Sequence, residues 1–134
     1  MLNTNILNIN PDTVCFIIAK AKEFHAKEEV TFRESIPESE YEYDWSQILA
    51  DHDDDLTFAE VKHVIEDLEP DQQIDLLTLM YVGRGDFDIN EWSDARKEAK
   101  SNLAPNLTGY LLSKPLIADY LEKALELLGY SCEE

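Results

Sequence analysis

Pro70-Asp71-Gln72-Gln73-Ile74-Asp75-Leu76-Leu77-Thr78-Leu79-Met80-Tyr81-Val82-Gly83-Arg84-Gly85 is the stretch on which the fold turns. Proline at the front suits the first helical position, where its missing N–H costs nothing. From Gln72 to Val82, Ile74, Leu76, Leu77, Leu79, Met80, Tyr81 and Val82 take up most of a helix circumference. A helix that is apolar nearly all round is buried on all sides, so this segment is expected at the centre of the fold. Gly83 and Gly85 are expected to stop it.

Working outward, the flanking segments are amphipathic helices suited to covering such a centre. Upstream, Phe58, Val61, Val64, Ile65 and Leu68 form one apolar stripe, and Thr57 with Glu60 three residues on reads as a capping box. Asn10-Pro11 is a helix entry, and Val14, Ile17, Ile18, Ala21 and Phe24 carry that helix to about Ala26. Downstream, Asp88 with Glu91 forms a second capping box ahead of Ile89, Trp92, Ala95 and Ala99. Pro105 to Leu112 predicts a short helix. Ser113 with Pro115 opens the last one, with Asp119, Glu122, Lys123 and Glu126 as its polar stripe and Gly129 as its C-cap.

Between the first two helices lies a different kind of sequence. Residues from about 27 to 43 are charged, contain Pro37 and keep no period, so they read as an acidic loop. Asp44 to Asp51 could add a short helix carrying Trp45, Ile48 and Leu49. The run Glu40 to Trp45, where acids alternate with Tyr41, Tyr43 and Trp45, is the one strand-like pattern. The expectation is an all-α fold: one compact domain over residues 1–134, a bundle of about five to six helices.

The 134 residues, 44% of them apolar, suffice for one core and leave no room for a second domain. No run approaches the ~20 apolar residues of a membrane span, and Met1 to Asn10 lacks a signal-peptide pattern. Cys15 and Cys132 stand at opposite ends without metal-ligand or redox spacing, which suggests no disulfide framework. A reducing, cytoplasmic setting is the expectation. The net charge of −18 is localised: residues 28 to 91 hold twenty acids against Arg33, Lys62 and Arg84, a net of −17. Such a middle repels nucleic acid and anionic membranes and attracts a basic protein surface or cations.

Asn10-Pro11 with the helix after it, the Gly83-Arg84-Gly85-Asp86-Phe87-Asp88 turn with Trp92, and the closing Tyr110-Leu111-Leu112, Pro115-Leu116 and Asp119-Tyr120-Leu121 carry a likeness. On these residues the chain resembles a family of small bacterial proteins known only as a domain of unknown function. The likeness spans roughly residues 9 to 27 and 53 to 129 and implies a helical fold. It brings no catalytic residue with it.

The residues that could carry chemistry each have a plainer reading. Glu60 and His63 have the spacing of a di-iron half-site, but two such pairs are needed. At 100° per residue they also lie roughly 130° from the centre of the apolar stripe, on the solvent side. Asp51, Asp53, Asp54 and Asp55 could gather around a hard cation, yet Leu56 and Lys62 stand where a calcium loop needs glycine and glutamate. A solvated loop feeding charge to the next helix start is the plainer account. Arg84, one of three bases among twenty acids, sits at a helix end beside Asp86, where it suits the helix C-terminus and a neighbouring carboxylate. Tyr41, Tyr43 and Trp45 are the aromatic anchors a recognition surface would use, and core packing is the alternative.

No Ser, Cys or Lys nucleophile is accompanied by a recognisable base, and no phosphate loop is present. The expected function is a protein-interaction or regulatory module using the acidic middle, with a basic protein surface as partner, no cofactor, and no direct binding to nucleic acid or membrane. A homodimer fits equally. The alternative is a metal-dependent enzyme or metal-binding protein, so catalysis is left open.

Overall fold

Ile74 to Val82 are buried without interruption, as the apolar girth of that segment demands. The computed structural model describes residues 7–35, 56–103 and 105–132, and among these it contains six α-helices and no strand. They are α1 (Pro11–Ser35), α2 (Leu56–Glu66), α3 (Pro70–Arg84), α4 (Trp92–Asn102), α5 (Leu107–Leu112) and α6 (Ile117–Leu127). A 3₁₀ turn, Ile89–Glu91, leads into α4. The central helix is α3, packed on one side by α6 and on another by α4; α1 lies across α6 and α2, and α2 reaches α5. One core runs through all six helices, from Val14 and Phe24 through Leu76 and Met80 to Leu121 and Leu125.

Four helix starts carry the caps described next, whereas α6 begins at Ile117 without a side-chain cap: Ser113, expected with Pro115 to open it, instead donates its hydroxyl to the Tyr110 carbonyl at 2.6 Å. The Asn10 side chain accepts the Asp12 N–H at 2.8 Å, and the Asn10 carbonyl accepts from Thr13 and Val14. Glu69 caps α3, with Pro70 first in the helix and Gln72 reaching back to the Glu69 N–H at 2.8 Å. Asp88 and Glu91 form the expected reciprocal pair ahead of α4. Asn106 caps α5 by accepting the Gly109 N–H at 3.1 Å.

Four further features differ from the sequence reading, each for a physical reason. First, α1 extends to Ser35 rather than ending near Ala26. No proline or glycine interrupts the segment before Pro37, so no residue type in it forces an earlier stop. The rest of the expected loop, the helix from Asp44 to Asp51 and the alternating run from Glu40 to Trp45 lie outside the described residues.

Second, Thr57 lies inside α2, which already includes Leu56. Its buried hydroxyl donates to the Glu23 carboxylate of α1 at 3.4 Å, linking two helices where a capping box with Glu60 was expected.

Third, Gly83 is not a stop signal but a point of close approach. A β-carbon there would lie 1.7 Å from the Tyr120 carbonyl oxygen of α6, so only glycine lets the two backbones come so near. Gly85, at φ 94°, is the left-handed residue that ends α3, and its N–H bonds back to the last turn. Gly129 does the same after α6 at φ 91°.

Fourth, Cys15 of α1 and Cys132 of the tail are joined in a disulfide, with Cα atoms 5.5 Å apart. Their spacing in sequence says nothing of this, because it is the packing of α1 against α6 that brings them together. Lys22 of α1 and Glu122 of α6 meet 3.5 Å apart on the same pair of helices. Disulfides belong as a rule to oxidising surroundings, so the bond does not favour the expected reducing compartment.

The central helix also hides an acid. Asp75 is 0% exposed, yet it accepts the backbone N–H groups of Asn8 and Ile9 and the Arg96 Nε at 2.9 Å. A buried carboxylate is tolerable only when charge and lone pairs are answered in this way. Arg96, held protonated more firmly by that hydrogen bond, also reaches Asp71 at 3.4 Å. The effect is a latch: the segment before α1 is tied down onto α3, with α4 supplying the counter-charge.

Candidate binding cleft

Where α3 ends, the chain turns through Gly85 and runs back along α4, leaving a depression closed on its third side by α5. Tyr81, Arg84, Asp86, Phe87, Glu98, Asn102 and Tyr110 line this open cleft, whose volume is about 480 Å³. That lies within the usual range for ligand-sized clefts.

Each lining group is placed by local structure. Tyr81 is the last large residue of the buried run, 5% exposed, with its ring 6.0 Å from that of Phe87. Its hydroxyl accepts a hydrogen bond from the Asn102 side-chain amide at 3.0 Å, and the same amide donates to Glu98 at 3.0 Å. Those two residues are one turn apart at the end of α4, so a single amide sets both the Tyr81 hydroxyl and the Glu98 carboxylate. Tyr110, on the exposed side of α5, is 38% exposed.

Arg84 and Asp86 form an ion pair at 2.6 Å, through Nη2 and with Nε also donating at 3.0 Å. The Asp86 N–H bonds to the Tyr81 carbonyl, so the turn that ends α3 holds the carboxylate in place. The Arg84 guanidinium is pushed above its ordinary pKa, chiefly by the hydrogen bond with Asp86; burial opposes this, and Tyr110 adds to it. Arg84 also lies 5.9 Å from the centre of the Tyr81 ring, and the Lys114 ammonium lies 4.5 Å from that of Tyr110. The rings of this region therefore already have cations near them, at distances typical of cation–π contact.

Of the residues singled out from sequence, Arg84 and Asp86 meet in this cleft and pair with each other. Tyr41, Tyr43, Trp45, Asp51, Asp53, Asp54 and Asp55 lie outside the described residues. Glu60 faces Lys20 of α1 at 3.1 Å, and His63 is exposed. Among the described residues no three of His, Cys, Asp or Glu converge as a metal would need. Sequence reading passed over Tyr81, Phe87, Glu98, Asn102 and Tyr110, since helical periodicity assigns a residue to a face but does not reveal which faces of three helices share a rim. Phe87, an aromatic held between two acids just past a helix stop, was the available hint.

The acids of the middle segment between 56 and 91 lie at the surface, with one exception. Of those between 56 and 91, Glu66, Asp67, Glu69, Asp71, Asp86, Asp88 and Glu91 are exposed, Glu60 is partly so, and Asp75 alone is buried. Their cationic contacts are Lys20, Arg96 and Arg84, which leave Glu66, Asp67, Glu69, Asp88 and Glu91 without a salt bridge among the described residues. No helix is long and apolar enough to cross a membrane among the described residues.

Comparison with known proteins places a family on this chain. The family described as Protein of unknown function (DUF3775) matches residues 58–130, which takes in α2 to α6 from Phe58 onward and the whole cleft. The wider likeness expected over residues 9 to 27 falls outside that match. No curated protein and no solved structure matches the chain.

Proposed function

We propose an interaction role for this chain, which belongs to the DUF3775 family of proteins of unknown function: it docks on a basic surface of a partner protein through its acidic middle, residues 28 to 91. The observation that supports this most is the surface placement of eight of the nine acids from Glu60 to Glu91, all but Asp75, within a segment whose net charge is −17. Charge of one sign gathered on one segment steers association with an opposite surface and turns away nucleic acid and anionic lipid. Tyr41, Tyr43 and Trp45 are the anchors proposed for the same contact, since aromatic side chains carry much of the energy of an interface. The cytoplasm is the proposed setting, in which the Cys15–Cys132 pair would have to withstand reduction or the core hold without it.

A photo-crosslinking residue at position 45, introduced in the full chain, tests this reading in cells. Partners carrying a basic patch are expected, with capture falling steeply as salt is raised and with substitution of Glu66, Asp67 and Glu69 by their amides. Capture indifferent to both would count against an electrostatic docking role. Native mass spectrometry of protein purified without chelator covers the other reading: a stoichiometric metal would favour the metal-dependent one.

A further inference from the structure

The cleft between α3, α4 and α5 has a charge pattern that selects an occupant. Its own cation, Arg84, is cancelled by Asp86 at 2.6 Å. Glu98 on its rim receives only a neutral amide donor from Asn102, with no salt bridge among the described residues. Its lining includes the rings of Tyr81, Phe87 and Tyr110, and aromatic faces attract cations. The Lys114 ammonium already stands 4.5 Å from the Tyr110 ring centre, so that ring serves as a cation platform in this fold. An anionic occupant would find the one guanidinium engaged and would have to approach through the field of a chain bearing −18.

We propose that this cleft receives a cationic side chain, arginine or lysine, of the partner protein, with its charge on Glu98 and its stem between Phe87 and Tyr110. The proposal rests on the docking role given above and supplies its anchor point: acidic steering brings the basic surface in, and one side chain is then fixed by shape. The cleft is large enough for such a side chain together with some of its flanking backbone.

The test uses the full chain and a blocked hexa-arginine amide, titrated at low salt by calorimetry and by amide NMR. Binding is expected, with the largest resonance changes at Phe87, Glu98, Asn102 and Tyr110. Glu98→Gln, an isosteric change at an exposed position, should weaken it about tenfold, the scale of one lost charge-assisted hydrogen bond. Tyr110→Ala should weaken it about threefold or more through loss of the ring face. Glu126→Gln, remote from the cleft and outside the acidic middle, should change it less than about twofold. Equal weakening by Glu98→Gln and Glu126→Gln would overturn the cleft as anchor while leaving diffuse acidic docking intact. Failure of hexa-arginine to bind at all would overturn both, and tighter binding of hexa-glutamate with shifts at Arg84 would reverse the sign of the occupant.

Discussion

Gly83→Ala sets two physical effects against each other, and the structure decides which should win. Within a helix, replacing glycine by alanine ordinarily stabilises by about 1 kcal/mol. At Gly83 the added methyl would sit 1.7 Å from the Tyr120 carbonyl oxygen, 2.5 Å from its carbon and 2.9 Å from its Cα, all of them backbone atoms. Since real β-carbons essentially never approach closer than 3.0 Å, α3 and α6 would have to part by about 1.3 Å at this crossing. A gap of about 1 Å already forfeits up to half of a dispersion well, and overpacking of this kind costs about 1–3 kcal/mol or more. The interface in question holds Leu121, Ala124 and Leu125 against the central helix, so we expect the upper end, with a net loss of about 3 kcal/mol. For a chain of this length that lowers Tm by roughly 10 °C. Thermal and urea unfolding followed by far-UV circular dichroism would measure it. Adding Tyr120→Ala should give no rescue, because the obstruction is main chain. A Gly83→Ala protein as stable as the parent, or more stable, would refute the close-approach argument. Gly85→Ala is the contrast: its space is open, and only the φ of 94° resists, so about 1–2 kcal/mol is expected.

The buried latch at Asp75 gives a second expectation: Asp75→Ala should cost about 3–5 kcal/mol in urea unfolding, and Arg96→Met a comparable amount, since it strands the fully buried Asp75 carboxylate without its counter-charge. A loss under about 1 kcal/mol for Asp75→Ala would show the latch to be ornamental. Reduction of Cys15–Cys132 should lower Tm, with a ceiling of about 4–5 kcal/mol for a loop of 117 residues, and Cys132→Ser should abolish the response to reductant. Thiols found fully alkylatable in unreduced protein would contradict the bond. Raising salt from low to moderate concentration should raise Tm by screening repulsion among the acids of residues 28 to 91; a flat or falling Tm would show that this repulsion is already relieved.

What sequence could and could not reveal follows from the range of the interactions involved. The apolar girth of Ile74 to Val82 and the reciprocal pair Asp88–Glu91 are local, and both appear in the structure as read. Glycine is ambiguous by nature: Gly83 and Gly85 look alike in sequence, but one answers to a helix 37 residues away and the other to its own φ. The role of Asp75 has no local signal, because its partners, Asn8, Ile9 and Arg96, arrive from elsewhere in the chain. The pairing of Cys15 with Cys132 is likewise a product of tertiary packing. Arg84 and Asp86 were legible because they are neighbours around one turn. Glu98, Asn102 and Tyr110 were not, because a rim shared by α3, α4 and α5 exists only after assembly.

The bond between Cys15 and Cys132 alters what a protease can accomplish. A single backbone cut between Ser35 and Leu56 would divide the sequence into a piece bearing α1 and a piece bearing α2 to α6, yet Cys15 belongs to the first and Cys132 to the second. The halves would stay covalently tied, α1 would keep its seat on α6, and the nick would be silent on a gel until reductant was added.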